Sequence, residues 1–262
     1  MRAATYREHA PPPGLAGSVE CLWTLSSAGE PVAPSTRRIV PDGCIDLVFH
    51  LGDGERRGVA VGAMTRALAS PAAGRMEVLG VRFRPGGASA LLRMPAAELT
   101  DRAVTLGELG GLGAACAPVL DSATAHEAVP ALASVLKAAG ARLAAPDPVA
   151  AAAWARMRAT AGALPVRSLA AELGVGERRL QRIFHDHVGL TPKEAARVAR
   201  LEAVLALLRA SPELPLGRAA LRAGYYDQPH FNREFARLVG LAPDAWRAER
   251  VASVQADQGT AR

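Results

Sequence analysis

Lysine is nearly missing from this chain. Lys137 and Lys193 are the only two, so almost all of the 31 basic residues are arginine. Cysteine is scarce too. Cys21, Cys44 and Cys116 lie far apart and form no Cys-x-x-Cys pair. That spacing argues against a disulfide framework and against a paired-cysteine zinc site, and it predicts reduced core thiols. No apolar run approaches the ~18 residues that a membrane-spanning helix needs. The N-terminus, Met-Arg-Ala-Ala-Thr-Tyr-Arg-Glu-His, has no apolar stretch of the secretory type, so the expected location is the cytoplasm. Metal-ligand clusters are missing as well. The first half has only His9, His50 and His126, widely spaced. His185 and His187 have the His-x-His spacing, but residues i and i+2 of a helix point to different faces. No metal, no cofactor and no catalytic residues are therefore expected.

What is present divides the chain in two. At 262 residues, half of them hydrophobic, it can fill two cores. The basic excess is uneven. Residues 146–250 hold 16 basic and 11 acidic side chains, against 14 and 13 in residues 1–145. A basic half beside a near-neutral half suits a phosphate-binding module with a separate partner domain.

The first half reads as strands. Residues 1–17 look irregular around Pro11-Pro-Pro-Gly14. Short β-prone runs follow at Val19–Leu25, on either side of a Pro41-Asp42-Gly43 turn, at Gly58–Met64 and at Met76–Phe83. Such spacing predicts a barrel or sandwich. Past Pro85-Gly-Gly87 the pattern turns helical, and from Leu106 to Leu143 it is helical throughout with breaks near Gly110-Gly111 and Asp121-Ser122. Pro146-Asp-Pro148 is the best boundary, with Pro148 suited to the first turn of a helix reaching about Thr160.

The second half contains a unit written twice. Leu180, Arg182, Phe184, Gly189 and Pro192 recur as Phe231, Arg233, Phe235, Gly240 and Pro243, 51 residues on. The turn glycines, Gly174 and Gly224, recur at 50, so the second copy has one more residue in its turn. In the first copy Ser168 is the expected N-cap. The helix from Glu177 to His187 buries Leu180, Ile183, Phe184 and Val188 and leaves an Arg/Gln face. In the second, Asp227 caps a helix with Pro229 in its first turn and a stripe of Phe231, Phe235, Leu238 and Val239. A helix with one buried stripe and an Arg/Gln face suits the DNA major groove, where arginine pairs with guanine and glutamine with adenine. Pro192–Arg209 reads as one helix of ~27 Å joining the units.

These residues, above all Ala223-Gly-Tyr-Tyr-Asp-Gln-Pro-His-Phe-Asn-Arg-Glu-Phe-Ala-Arg-Leu-Val-Gly-Leu-Ala-Pro-Asp-Ala-Trp-Arg247, resemble the AraC/XylS transcription regulators over about residues 148–250. The family's usual Gly-Phe and Tyr-Arg stand here as Gly224-Tyr225 and Trp246-Arg247, and each change keeps an aromatic. The resemblance implies base-facing roles for Arg178, Gln181, Arg182, Gln228, His230, Asn232 and Arg233. Arg179, Arg197, Arg200, Arg218 and Arg237 are the expected phosphate contacts. The implied partners are double-stranded DNA, an unidentified small-molecule effector, a second copy of the chain in a homodimer, and RNA polymerase if the protein activates.

The segments Arg38-Ile-Val-Pro-Asp-Gly-Cys-Ile-Asp-Leu-Val-Phe49 and Phe83-Arg-Pro-Gly-Gly-Ala88 resemble a sensor type found in little-characterised members of that family. The expected fold is α+β: an N-terminal β-barrel of the cupin-like kind with trailing helices, then an all-α domain of two helix-turn-helix units on a linker helix. The expected divisions are a sensor over 1–105, a helical segment suited to dimerisation over 106–146, a DNA-binding domain over 147–250 and a disordered tail over 251–262. Asp42 and Asp46 could meet a polar ligand at the barrel mouth, though an aspartate that shapes the turn is the commoner case. Arg82 and Arg84, before Gly86-Gly87, could hold an anion, though a plain strand-to-helix turn is commoner. Two other readings compete: an enzyme fused to a regulator, and a ligand-free barrel that serves only for dimerisation.

Overall fold

The computed structural model describes residues 4–54, 56–92, 94–109, 111–140 and 146–249. The first half is built on eight strands: β1 (Thr5–His9), β2 (Val19–Ser26), β3 (Val32–Ile39), β4 (Ile45–His50), β5 (Arg57–Val61), β6 (Leu68–Gly74), β7 (Glu77–Phe83) and β8 (Ala103–Thr105). Six of them form an antiparallel sheet in the order β1-β2-β7-β4-β5-β8. The other two, β3 and β6, pair only with each other.

The large sheet has two unlike faces, and the alternation in β4 shows why. Ile45, Leu47 and Phe49 are buried, while Asp46, Val48 and His50 point the other way and are only partly covered. The buried face packs on α4 (Ala125–Ala138) through Ala125, Ala128, Leu132 and Leu136. Thr124 caps that helix by accepting from the Glu127 amide, and the buried Glu77 accepts from the Ala125 amide at 2.9 Å. The β3–β6 ribbon stands over the opposite face and encloses a cavity with it. The β-rich α+β organisation is as expected, but the barrel does not close. Among the described residues β1 and β8 remain edges of the large sheet, and no ladder joins it to the ribbon.

Several local expectations change. β1 lies in the stretch expected to be irregular; it is a polar edge strand, exposed along most of its length. β6 contains Pro71 and small residues, a composition suited to an edge ribbon and weak as a strand signal. The region after Leu106 is helical with interruptions near Gly111 and Asp121-Ser122, as expected, and with one more at Cys116. It holds a 3₁₀ turn (Leu106–Leu109) and the short helices α2 (Leu112–Ala115) and α3 (Ala117–Leu120) ahead of α4. The apolar stripe of α4, in the segment suited either to dimerisation or to packing on its own barrel, packs on its own sheet. The expected tail over 251–262 lies outside the described residues.

Between the sheet and that region run α1 (Ser89–Leu92) and a 3₁₀ turn (Ala96–Leu99). The helical half then follows the repeat: α5 (Pro148–Ala159), α6 (Val166–Glu172), α7 (Glu177–Ile183) with a π turn over Phe184–Val188, α8 (Pro192–Ala210), α9 (Leu216–Arg222) and α10 (Gln228–Val239), then a helical turn over 243–249. Asp147 caps α5 and Asp227 caps α10. Thr191 and Glu194 form a reciprocal capping box on α8, whose 19 residues span about 28 Å. Ser168 is not a cap. Pro165 holds the N-cap position of α6 in an extended conformation, so Ser168 falls inside the helix.

The hydrophobic core divides within α8 and not at Pro146. One cluster runs from the sheet through α5, α6 and α7 to Ala199, and a second gathers Leu201 to Trp246 with Val40 against it. The first helix-turn-helix unit thus shares a core with the sheet domain, whereas the second has its own. Trp154 on α5 explains part of the join. A Cβ at Gly43, whose φ is +75°, would lie 2.0 Å from the Trp154 ring. The Pro-Asp-Gly turn therefore needs glycine for its backbone and for the tryptophan seated on it.

Candidate functional site

On α7, Leu180 and Ile183 are buried, and Arg178, Arg179, Gln181 and Arg182 are exposed. Spacings of three and four residues place Arg178, Gln181 and Arg182 on one face. On α10, Phe231, Phe235, Leu238 and Val239 are buried and Gln228, Arg233 and Arg237 are exposed. Arg218 on α9 is exposed too. None of the arginines in this set has an ion pair with another described residue, so their charge is available to a partner.

Three expected contacts are engaged inside the protein. Glu234 on α10, nearly buried, stands 3.5 Å from Arg197 Nε, 3.4 Å from Arg200 Nη1 and 3.8 Å from His230 Nε2. Arg200 also donates to the Gly162 carbonyl at 2.8 Å and lies over the Tyr225 ring, 5.4 Å from its centroid. Its side chain is only 16% exposed. The phosphate role expected for Arg200 gives way to a structural one: it ties the end of α5 to the second unit through α8. Arg197 is half-withdrawn in the same way. His230 packs edge-on against Tyr225, and Asn232 keeps a buried, unpartnered Oδ1. The exposed face of α10 is thus formed mainly by Gln228, Arg233 and Arg237. Tyr226, 87% exposed just before Asp227, was not among the expected contacts. Its neighbour Tyr225 is buried, and Gly-Tyr-Tyr alone does not say which ring faces outward.

The sheet domain grips the two units at equivalent places. Thr100 donates to the Gly189 carbonyl, and His187 stands 3.2 Å from Ser89 Oγ. In the second unit the Ala67 amide donates to the Leu238 carbonyl at 2.7 Å, and Arg38 reaches the Val239 carbonyl at 3.3 Å. Gly189 and Gly240 are repeat equivalents, both left-handed, with φ of +84° and +76°. A Cβ at Gly189 would lie 2.9 Å from the Ala96 carbonyl oxygen, and one at Gly240 would lie 3.3 Å from Arg38 Nη1.

A cavity of about 640 Å³ lies between the large sheet and the β3–β6 ribbon. Cross-strand partners set its floor in rows. One row holds Cys21, Arg82, Asp46 and Val61, the next Trp23, Gly80, Val48 and Val59. The Trp23 ring lies flat on Gly80, where a Cβ would be 2.2 Å away. Arg82 Nε stands 3.3 Å from Asp42 and 3.5 Å from Asp46. Asp42 also shapes the turn by accepting from the Cys44 amide at 3.0 Å, so it combines the two roles expected as alternatives. Arg84 donates instead to the Ala16 carbonyl. Asp42 and Arg82 also border a cleft of about 900 Å³ between the sheet domain and α5 and α8, lined by Glu20, Trp154, Arg158 and Glu202. Burial, opposed by Arg82 and reinforced by Asp42 and Glu20, raises Asp46 to about 7. Burial, opposed by Arg158 and reinforced by the same two carboxylates, raises Glu202 to about 7. The thiols of Cys21, Cys44 and Cys116 are all shifted upward, chiefly by burial, and none of the three is disulfide-bonded.

Residues 169–249 match the family model of a helix-turn-helix domain, and residues 7–105 match a domain of unknown function, DUF6597. The uncharacterized HTH-type transcriptional regulator YidL of Escherichia coli (strain K12) is 35% identical over 80 residues, 30% of this chain and 27% of the relative. The chain therefore spans about a quarter of that relative's length. Among solved structures, the C-terminal domain of AraT, a response regulator from Geobacillus stearothermophilus, is 26% identical over 39% of this chain and 86% of that one, with a TM-score of 0.37. ToxT from Vibrio cholerae O395 is 8% identical over 86% of this chain and 96% of that one, with a TM-score of 0.45.

Proposed function

We propose that this chain, whose residues 169–249 are a helix-turn-helix domain of the AraC type, is a sequence-specific DNA-binding transcription regulator under small-molecule control. The observation that carries the DNA reading is the repeated unit with two exposed cationic faces on the linker helix α8. A length of about 28 Å suits two reading helices in successive major grooves, ~34 Å apart on one face of a duplex. Arg178, Gln181 and Arg182 read one half-site; Gln228 and Arg233, with His230 and Asn232 behind them, read the other. Arg179, Arg218 and Arg237 bind phosphate, and Arg197 contributes less because Glu234 already holds it.

The cavity supports effector control and counts against a ligand-free barrel. The β3–β6 ribbon that roofs it also holds the C-terminal end of α10, through Ala67 and Arg38. A ligand that repositions the ribbon changes the grip on the second unit, so ligand affinity and DNA affinity are linked.

Two arginine variants test the division of roles. Arg182→Ala is expected to lower DNA affinity by about 1–3 kcal/mol and relax specificity at one position, with the melting temperature unchanged. Arg200→Ala is expected to lower the melting temperature, because it strips Glu234 and the Gly162 carbonyl of a buried partner. Equal effects of the two on DNA affinity, without any loss of stability in Arg200→Ala, would reject the assignment.

A further inference from the structure

The chemistry of the cavity between the large sheet and the β3–β6 ribbon identifies the class of molecule it takes. The cavity is apolar along its middle row, where Trp23, Val48 and Val59 face inward and Tyr6 stands 6.0 Å from the Trp23 ring. At one end two carboxylates, Asp42 and Asp46, share the single guanidinium of Arg82. The shared partner leaves Asp46 incompletely satisfied: its Oδ1 and Arg82 Nε are both buried, stand 3.5 Å apart and form no hydrogen bond of good geometry. Among the described residues Arg82 is the only cation within ion-pair distance of either carboxylate, and Arg37 lies farther off at the exposed rim of this end. The other end is different. His50 pairs across the ladder with Arg57, four residues and about 13 Å along the strand from Asp46. Arg57 is exposed at the rim there, and Arg75 is paired with Asp53 at 3.4 Å.

We propose that the inter-sheet cavity binds a small arylalkyl or alkyl amine, its cationic nitrogen at Asp46 and its apolar body along Trp23, Val48 and Val59. The ammonium supplies a second cation for the two carboxylates and a donor for the buried Asp46 oxygen, and the Trp23 and Tyr6 rings add cation–π attraction. An anionic ligand is disfavoured because it would have to displace two carboxylates from Arg82. The proposal rests on the reading of this cavity as the effector site, but it is tested without DNA and so can fail separately from the regulator assignment.

The amine competes with a proton for Asp46. The groups around that carboxyl are Arg82 on β7, Cys21 and Glu20 on β2, Asp42 and Cys44 on the turn before β4, Tyr6 and Glu8 on β1, and Arg37 on β3. Of these, Cys21, Cys44 and Tyr6 are shifted upward, away from neutrality. Asp46 itself is raised to about 7, so amine affinity is expected to rise roughly tenfold between pH 6 and pH 8.

The experiment uses the full chain with 2-phenylethylamine, 2-phenylethanol and phenylacetate as probes, read by thermal shift and by calorimetric titration. The amine is expected to bind and to raise the melting temperature at pH 8, with the alcohol and the acid giving less than a tenth of its affinity. Asp46→Asn should abolish amine binding. Val48→Trp, which fills the cavity without changing a charge, should abolish it as well, so the proposal stays testable if one variant fails to fold. Tighter binding of phenylacetate, no response to the amine, or undiminished amine binding in a folded Asp46→Asn or Val48→Trp protein would overturn it.

Discussion

Replacing Phe235 by alanine is expected to unfold the second helix-turn-helix unit and leave the rest of the chain folded. Phe235 is fully buried and lies between Phe231, 5.3 Å away, and Trp246, 5.8 Å away. Truncating such a phenylalanine costs about 3–5 kcal/mol. The second unit has its own core from Leu201 to Trp246; among the described residues Val40 is the sheet domain's one apolar contribution to it, beside the polar contacts of Ala67 and Arg38, so it has little to absorb that loss. The first unit shares its core with the sheet and α5 and does not depend on Phe235. Hydrogen exchange should show protection lost over α9 and α10 and kept over α7 and β7. On DNA the protected footprint should shrink to one half-site. A single cooperative unfolding of all amides, or a full-length footprint at unchanged affinity, would contradict the separation of the cores.

Stability is expected to fall as pH rises from about 4.5 to 7, by several kcal/mol in order of magnitude. Asp46 and Glu202 are each raised to about 7 in the folded protein, mainly by burial, whereas the unfolded chain loses those protons near pH 4. Between the two values the folded state binds more protons than the unfolded state, so the slope of unfolding free energy against pH is negative. The contribution is complete below the unfolded value and is gone once pH passes the folded one. Exposed carboxylates with lowered values, Glu172 beside Arg156 and Glu108 on Thr105, act in the opposite direction, but solvent screens them. Asp42 acts on both raised groups, Glu202 across the cleft between the sheet domain and α8 and Asp46 in the neighbouring inter-sheet cavity, so the lost stability should appear first as loosening around Asp42. Urea midpoints at pH 5 and pH 8 measure the effect. The Asp46→Asn, Glu202→Gln double variant should flatten the curve, and an unchanged slope in that variant would refute the assignment.

The helical half was legible because its signals are local and periodic. Leu180, Ile183 and Phe184, and Phe231 and Phe235, mark buried stripes at three- and four-residue spacing, and Asp227, Pro229 and Gly240 mark the ends of α10. The sheet was only partly legible. β4 and β7 carry apolar runs that name themselves, but β1 is polar and β6 is Leu-Ala-Ser-Pro-Ala-Ala-Gly, with no strand pattern to read. Pairing between distant segments decides those two, and pairing is not a property of either segment alone. The open barrel has the same origin. Within the reading faces, exposure was legible and engagement was not. Arg200 and Arg233 look alike in sequence, yet Arg200 stands where Glu234, Gly162 and Tyr225 converge. The Asp46–Arg82 pair was legible only as two separate residues, because β4 and β7 bring them together across 36 positions.

One chain is expected to read two unlike half-sites through two scaffold-equivalent units. Selection of bound sequences from a random double-stranded oligonucleotide pool, followed by selection with Arg182→Ala and Arg233→Ala, tests this. The expected result is an asymmetric bipartite motif with half-sites about one helical turn apart (~10 base pairs), one half degrading with each variant, and affinity falling steeply with salt. No enriched sequence, or a motif that both variants alter in the same half, would contradict it.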